Sequence, residues 1–153
     1  MMLKQLAVIF NVVLITILAQ ASLPQNKSGG EEFVIIINAN NPTAAMKSEQ
    51  ISKFFLKKTI AWSHGEPVQP VDLSSDSALR QNFTKAIHGR SVSAIKAYWQ
   101  RQIFSGKGVP PPEKNSRDEI VKFVKENNGA IGYVPKTDQL GKVSGIKILG
   151  VEK

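Results

Sequence analysis

Residues 33–37, FVIII, form an unbroken apolar run that is mostly β-branched. A strand with one wet face alternates apolar and polar side chains, so a run without alternation belongs to a strand covered on both faces. Covering both faces of a sheet takes helices on each side, which points to a layered α/β architecture. The rest of the chain supplies those helices. From Ser48, Ile51, Phe54 and Phe55 recur at i, i+3, i+4 and make one buried stripe, ending before a turn at Trp62, Ser63, His64 and Gly65. Residues 67–73 read as a second, short strand. A helix follows with Leu79, Phe83, Ala86 and Ile87 on one face, stopping at Gly89. Ser91 caps another, on which Val92, Ile95, Trp99 and Ile103 fall at near-helical spacing. The stretch GKGVPPP, 106–112, is a stiff surface loop. Ser116 with Glu119 is a capping-box pattern that opens a last helix through Ile120, Phe123 and Val124. Residues 130–134 and 146–151 close the fold as strands. The expected result is an α/β layer sandwich with a mostly parallel small sheet flanked by helices.

The first residues do not read as part of that domain. Lys4 precedes a nearly continuous apolar run over 6–18, and Ala19-Gln20-Ala21 has the small-x-small form that a signal peptidase cleaves. The run is shorter than the roughly 20 residues of a bilayer span. Residues 1–21 therefore read as a signal peptide cleaved after Ala21, with an uncleaved anchor as the alternative. Residues 22–32 are a flexible lead-in and 33–153 the α/β domain. About 130 residues suit one core. With Cys 0, an exported domain of that size is held by its core alone, which fits a bacterial periplasm better than a disulfide-stapled secretory scaffold.

A formal net charge of +8 favours anionic partners: solutes, phospholipid head groups or acidic envelope polymers. Most cations fall on the polar sides of the expected helices, the ordinary place for solvating charge. Nucleic acid is not expected for an exported chain without a basic-aromatic stripe. Nor is an enzyme. There is no cysteine nucleophile, no G-x-S-x-G, and the two histidines, His64 and His88, fall in a turn and at a helix end, where a partly charged imidazole favours the dipole. Clustered metal ligands and a cofactor motif are lacking, and Asp72, Asp76, Glu113, Asp118 and Glu119 read as caps or loop solvation.

The candidate site lies at 72–83, DLSSDSALRQNF, where a strand-like segment meets hydroxyl and acidic residues that open a helix. A helix start has unpaired N–H groups and the positive end of a dipole, so hydroxyls there cradle a small anion or act as ordinary caps. Here the residues resemble a family. Residues 51–62 are similar to the "L-S-x-I-F-x-G-K-x-x-x-W" segment of phosphate-type periplasmic substrate-binding proteins, NGAIGYV at 128–134 to their "pGAIGYv" element, and 77–83 to their "S-G-T-x-x-x-F" anion loop and helix. The block AYWQRQIFSGKGVPPP, 97–112, resembles short single-lobe relatives. Three positions depart from the pattern. Ala78 and Leu79 replace the glycine and threonine of the anion loop, which weakens its hold on phosphate, and Lys57 stands where a glycine is usual, which bears on a turn.

The resemblance implies a single periplasmic-binding-protein-like lobe that recognises a small anion, phosphate first, with an ABC transporter as its wider setting. Ser75, Ser77, Ala78, Leu79 and Arg80 are the expected ligand-binding residues, through the Ser77 hydroxyl, the Ala78 and Leu79 N–H groups and the Arg80 charge. One lobe leaves half of a ligand exposed, so a homodimer or an envelope partner protein is expected to supply the other wall. The alternative is an envelope protein-interaction module that keeps the fold without a solute site.

Overall fold

The computed structural model describes residues 31–152. The signal-peptide reading and most of the lead-in fall outside the described residues. Among the described residues no helix is long and apolar enough to cross a membrane.

The fully apolar run becomes β1 (Phe33–Asn38), at the centre of a five-stranded sheet. Its neighbours are β6 (Ala130–Pro135) and β7 (Ile146–Glu152), both antiparallel to it, with Ile36 opposite Gly132 and Ile148. The edges are β2 (Ala45–Lys47), parallel to β7, and β3 (Gln69–Pro70), parallel to β6. Four strands thus share one direction and β1 alone opposes them. The sheet is therefore mixed: its two short edge pairings are parallel, and the two longer pairings that β1 makes at its centre are antiparallel.

Both faces of β1 are covered, as its composition demands. On one lies α4 (Arg117–Glu126), burying Ile120 and Val124. A Cβ on Gly132 would stand 2.9 Å from Ile120 Cγ2 and 3.0 Å from Val71 Cγ1, so glycine is what lets the helix approach the sheet. Asn38 reaches from β1 to donate its amide to the Val124 and Lys125 carbonyls, each at 3.0 Å, satisfying carbonyls of the helix's last turn. Ser116 accepts from Glu119 N at 3.2 Å, so the capping serine is in place.

The other face carries α1 (Ser48–Phe55) and α2 (Ala78–Phe83). Phe83 stacks on Tyr133 of β6 with ring centroids 3.8 Å apart, and Phe55 tilts against Phe83 at 4.7 Å. Trp62 is buried in its turn and donates its indole N–H to the Gly129 carbonyl at 2.9 Å. α1 ends as a Schellman turn: Lys57 N donates to Phe54 O and Lys58 N to Lys53 O. The left-handed position of that turn is Lys57, at φ +51°, where glycine would be free of steric cost.

Three expectations are corrected. Residues 67–73 do not form one strand. Val71 interrupts it, and β4 (Asp72–Leu73) leaves the main sheet to pair in parallel with β5 (Glu113–Lys114), a strand of two residues with no pattern to announce it. The helix after the hydroxyl cluster widens into a π-helical turn over Thr84–His88 before Gly89 ends it in the left-handed region at φ +63°. The wider turn rotates the inward face, so Thr84 is buried and Ala86 is exposed. On α3 (Val92–Phe104), Ile95 and Trp99 pack with Leu56 as expected, but Ile103 is exposed because the helix outruns the surface beneath it.

Candidate functional site

The candidate residues sit where β4 turns into α2. Ser77 is the N-cap of α2, and its hydroxyl accepts from Arg80 N at 3.3 Å. Ala78 is exposed, Ser75 and Ser77 are half-buried, and Asp76 is exposed. Ala78 and Leu79 begin the helix, so their N–H groups have no carbonyl one turn earlier to serve them. The Leu79 side chain is buried in the main core, so that residue has only backbone to offer a ligand.

Arg80 turns inward, but toward protein. It is 4% exposed, and its Nη1 lies 2.8 Å from Asp72 Oδ1, donates to the Leu73 carbonyl and lies 3.5 Å from Glu113 Oε1. Asp72 also accepts from the Tyr133 hydroxyl and from Leu73 N at 3.0 Å. Its carboxyl is nevertheless pushed up to about 6: burial raises it, while Arg80 and the Tyr133 hydrogen bond pull the other way. Burial, and then the neighbouring carboxylate, raise the Tyr133 phenol, so it stays a donor at every ordinary pH.

The reading of Asp72 as a cap or a solvated loop acid is thereby corrected. It is a buried partner of Arg80, and with Tyr133 and Glu113 it makes a network that sequence reasoning missed. The available signal was local: Asp72 stands between apolar Val71 and Leu73, an unusual place for a solvated acid. The meeting with Glu113 has no such signal, because it depends on β5 pairing beside β4. Asp72 N donates to Pro112 O and Ser74 N to Lys114 O, which pins the end of the proline loop against the site. Beside the network is a cavity of 180 Å³, lined by Arg80, Asp72, Glu113, Lys96, Trp99 and Pro110 among others.

These contacts set what the loop can do. The Arg80 charge is buried and opposed by Asp72 and Glu113, so the start of α2 offers a hydroxyl and two N–H groups but no free cation.

Of the histidines, His88 is brought against Ser52, with Ser52 Oγ 2.8 Å from His88 Nδ1. Its expected partial charge is corrected: burial, then Arg80 and Arg90, push the imidazole down to about 4, and it is neutral at pH 7. Packed against Phe55 and Phe83, it ties the π-helical turn to α1. Among the described residues no group of histidine, cysteine and carboxylate side chains is placed to hold a metal ion.

No protein-family model matches the chain, and a search of curated proteins finds no relative. Solved structures do match. An ABC-type phosphate transport receptor from Vibrio cholerae superposes with a TM-score of 0.60 at 18% identity, over 80% of this chain and 47% of that one. A putative phosphate ABC transporter substrate-binding protein with bound phosphate, from Clostridium perfringens, gives 0.60 at 18% identity, over 79% of this chain and 45% of that one. A possible phosphate-binding protein from Planctomyces limnophilus gives 0.59 at 20% identity, over 80% and 42%. The chain spans less than half the length of each. Its fold is that of a single lobe of the phosphate-type substrate-binding proteins.

Proposed function

We propose that the chain is an exported, periplasmic binding lobe that receives a small anion, phosphate first, where β4 turns into α2. It acts as a receptor, not an enzyme, in the setting of an ABC transporter. The observation that supports the proposal is the fold shared with three phosphate-receptor structures, together with a hydroxyl-bearing helix start at Ser77 in the segment whose sequence resembles the family's anion loop. Ser75 and Ser77 contribute hydroxyls, Ala78 and Leu79 their N–H groups, and Arg80 orders the turn from beneath. The opposite wall comes from a second copy or an envelope partner.

Titration calorimetry with phosphate, sulfate and an organic phosphate tests it. Phosphate is expected to release heat at millimolar concentration or below. Ser77→Asp keeps a capping oxygen but sets a negative charge in the loop, so it abolishes binding with stability retained. No heat with any of the three anions, or equal heat from Ser77→Asp, removes the proposal.

A second reading, an envelope protein-interaction module with the fold but no solute site, is favoured by one observation: Arg80 is already engaged by Asp72 and Glu113. It predicts that the purified protein ignores all three anions while holding a defined envelope partner through purification.

A further inference from the structure

Between Asp76 and Glu113 the sequence has no acidic residue, yet it contains Arg80, Lys85, Arg90, Lys96, Arg101 and Lys107. Arg80 is buried and the other five are exposed. They are spread along one continuous piece of structure: the π-helical turn, α3 and the loop that follows.

The far end of that piece is apolar where solvation would favour polar groups. Phe104, the last residue of α3, is 91% exposed; Val109 is 60% exposed and Ile103 51%. The end is not loosely held. Ile95 and Trp99 anchor α3 to Leu56, and the Tyr98 hydroxyl donates to the Leu56 carbonyl at 3.0 Å. Ser105 closes the helix, its hydroxyl donating to Arg101 O at 2.8 Å, and Gly106 turns the chain at φ +67°. Ile103 and Pro110 line one cavity, so the start of the proline segment lies beside the helix end. The acids that border that cavity, buried Asp72 and exposed Glu113, are turned to Arg80.

We propose that the C-terminal end of α3 and the loop 105–112 dock on the surface of an anionic phospholipid bilayer. An exposed aromatic at the helix end, exposed aliphatic neighbours and cations that outnumber the one exposed acid beside them, Glu113, are what such a surface selects. The ring and aliphatic groups enter the boundary below the head groups, while Arg101 and Lys107 extend to the phosphates. Charge complementarity decides among occupants. A neutral groove would leave Arg101 and Lys107 unmatched, and an anionic lipid surface meets them without needing a shaped partner.

The protein has no cysteine, so a single introduced thiol is a unique label site in the full chain. Phe104→Cys carrying acrylodan is mixed with vesicles of phosphatidylethanolamine and phosphatidylglycerol, or of phosphatidylcholine alone. Ser144→Cys, at an exposed position in the turn before β7, is the control. The emission at 104 is expected to shift to the blue with anionic vesicles and not with neutral ones, with no shift at 144. Changing Lys96, Arg101 and Lys107 together to glutamine weakens the effect about a hundredfold. Millimolar inorganic phosphate leaves it in place, which separates this surface from the Ser77 loop. Equal shifts at 104 and 144, equal shifts on neutral vesicles, or no shift at all overturns the proposal. So does a shift produced by polyglutamate but not by vesicles, which would assign the face to an acidic polypeptide.

Discussion

Arg80 illustrates how a buried charge costs more to strip of its partner than to keep. With Arg80→Met, Asp72 is left buried with only the Tyr133 hydroxyl and Leu73 N as partners, a loss of about 3–5 kcal/mol on removal of one member of a buried pair. The loss is expected in urea denaturation at pH 7 and shrinks as the medium is acidified, because the isolated carboxyl then takes up a proton. A cost unchanged between pH 7 and pH 4 would contradict the pairing. The unmodified chain contains two buried groups that oppose each other over that range. Asp72 is raised from 3.8 to about 6 in the fold, so its stabilising contribution is complete below about 4 and is lost as pH rises through about 6. His88 is lowered from 6.5 to about 4, so its contribution is present above about 6.5 and is lost as pH falls through about 4. On acidification from pH 6 to pH 4, His88→Gln is expected to gain stability relative to the unmodified chain and Asp72→Asn to lose it. Denaturation midpoints at three pH values decide this, and parallel profiles for all three proteins would refute it. Neither group was legible as such in the sequence, since a raised or lowered proton affinity comes from burial, which single residue types do not announce.

At the scale of elements, apolar spacing was a reliable guide on α1 and α4 and for Ile95 and Trp99 of α3, and failed for Ile103 at that helix's end. The stripes of Ile51, Phe54 and Phe55 and of Ile120 and Val124 are buried as the pattern requires, and Ser77, Ser91 and Ser116 all cap as their positions predict. The pattern also failed where geometry left the ideal helical period. One π-helical turn moved Ala86 outward, and the two-residue strands β4 and β5 are too short to carry any alternation. The turn after α1 was marked by a departure, Lys57 in a place where glycine is usual, and the fold keeps the left-handed turn regardless. Lys57→Gly should therefore stabilise the protein by about 1 kcal/mol, the steric cost of a side chain in that conformation. A thermal melt checks it, and a fall in midpoint would show that Lys57 is held there by something other than tolerance.

For the whole molecule, the α/β lobe was legible because the resemblance runs through the order of its segments, and the solved structures that match share that lobe at 18–20% identity. The candidate site was only half legible. Ser77 and its loop could be placed from sequence, whereas Glu113 meets Arg80 and Tyr133 meets Asp72 only once distant strands are assembled. The same assembly governs how the protein comes into being. β1 lies between β6 and β7, and its Asn38 bonds α4 carbonyls 86 and 87 residues away. A chain made from its N-terminus has nothing to pair with β1 until nearly all of the domain has been synthesised. Under the export proposed above this becomes an advantage: a nascent chain whose central strand has no partner stays a pliant thread that can pass through a narrow pore, and it locks into shape once its final strands arrive.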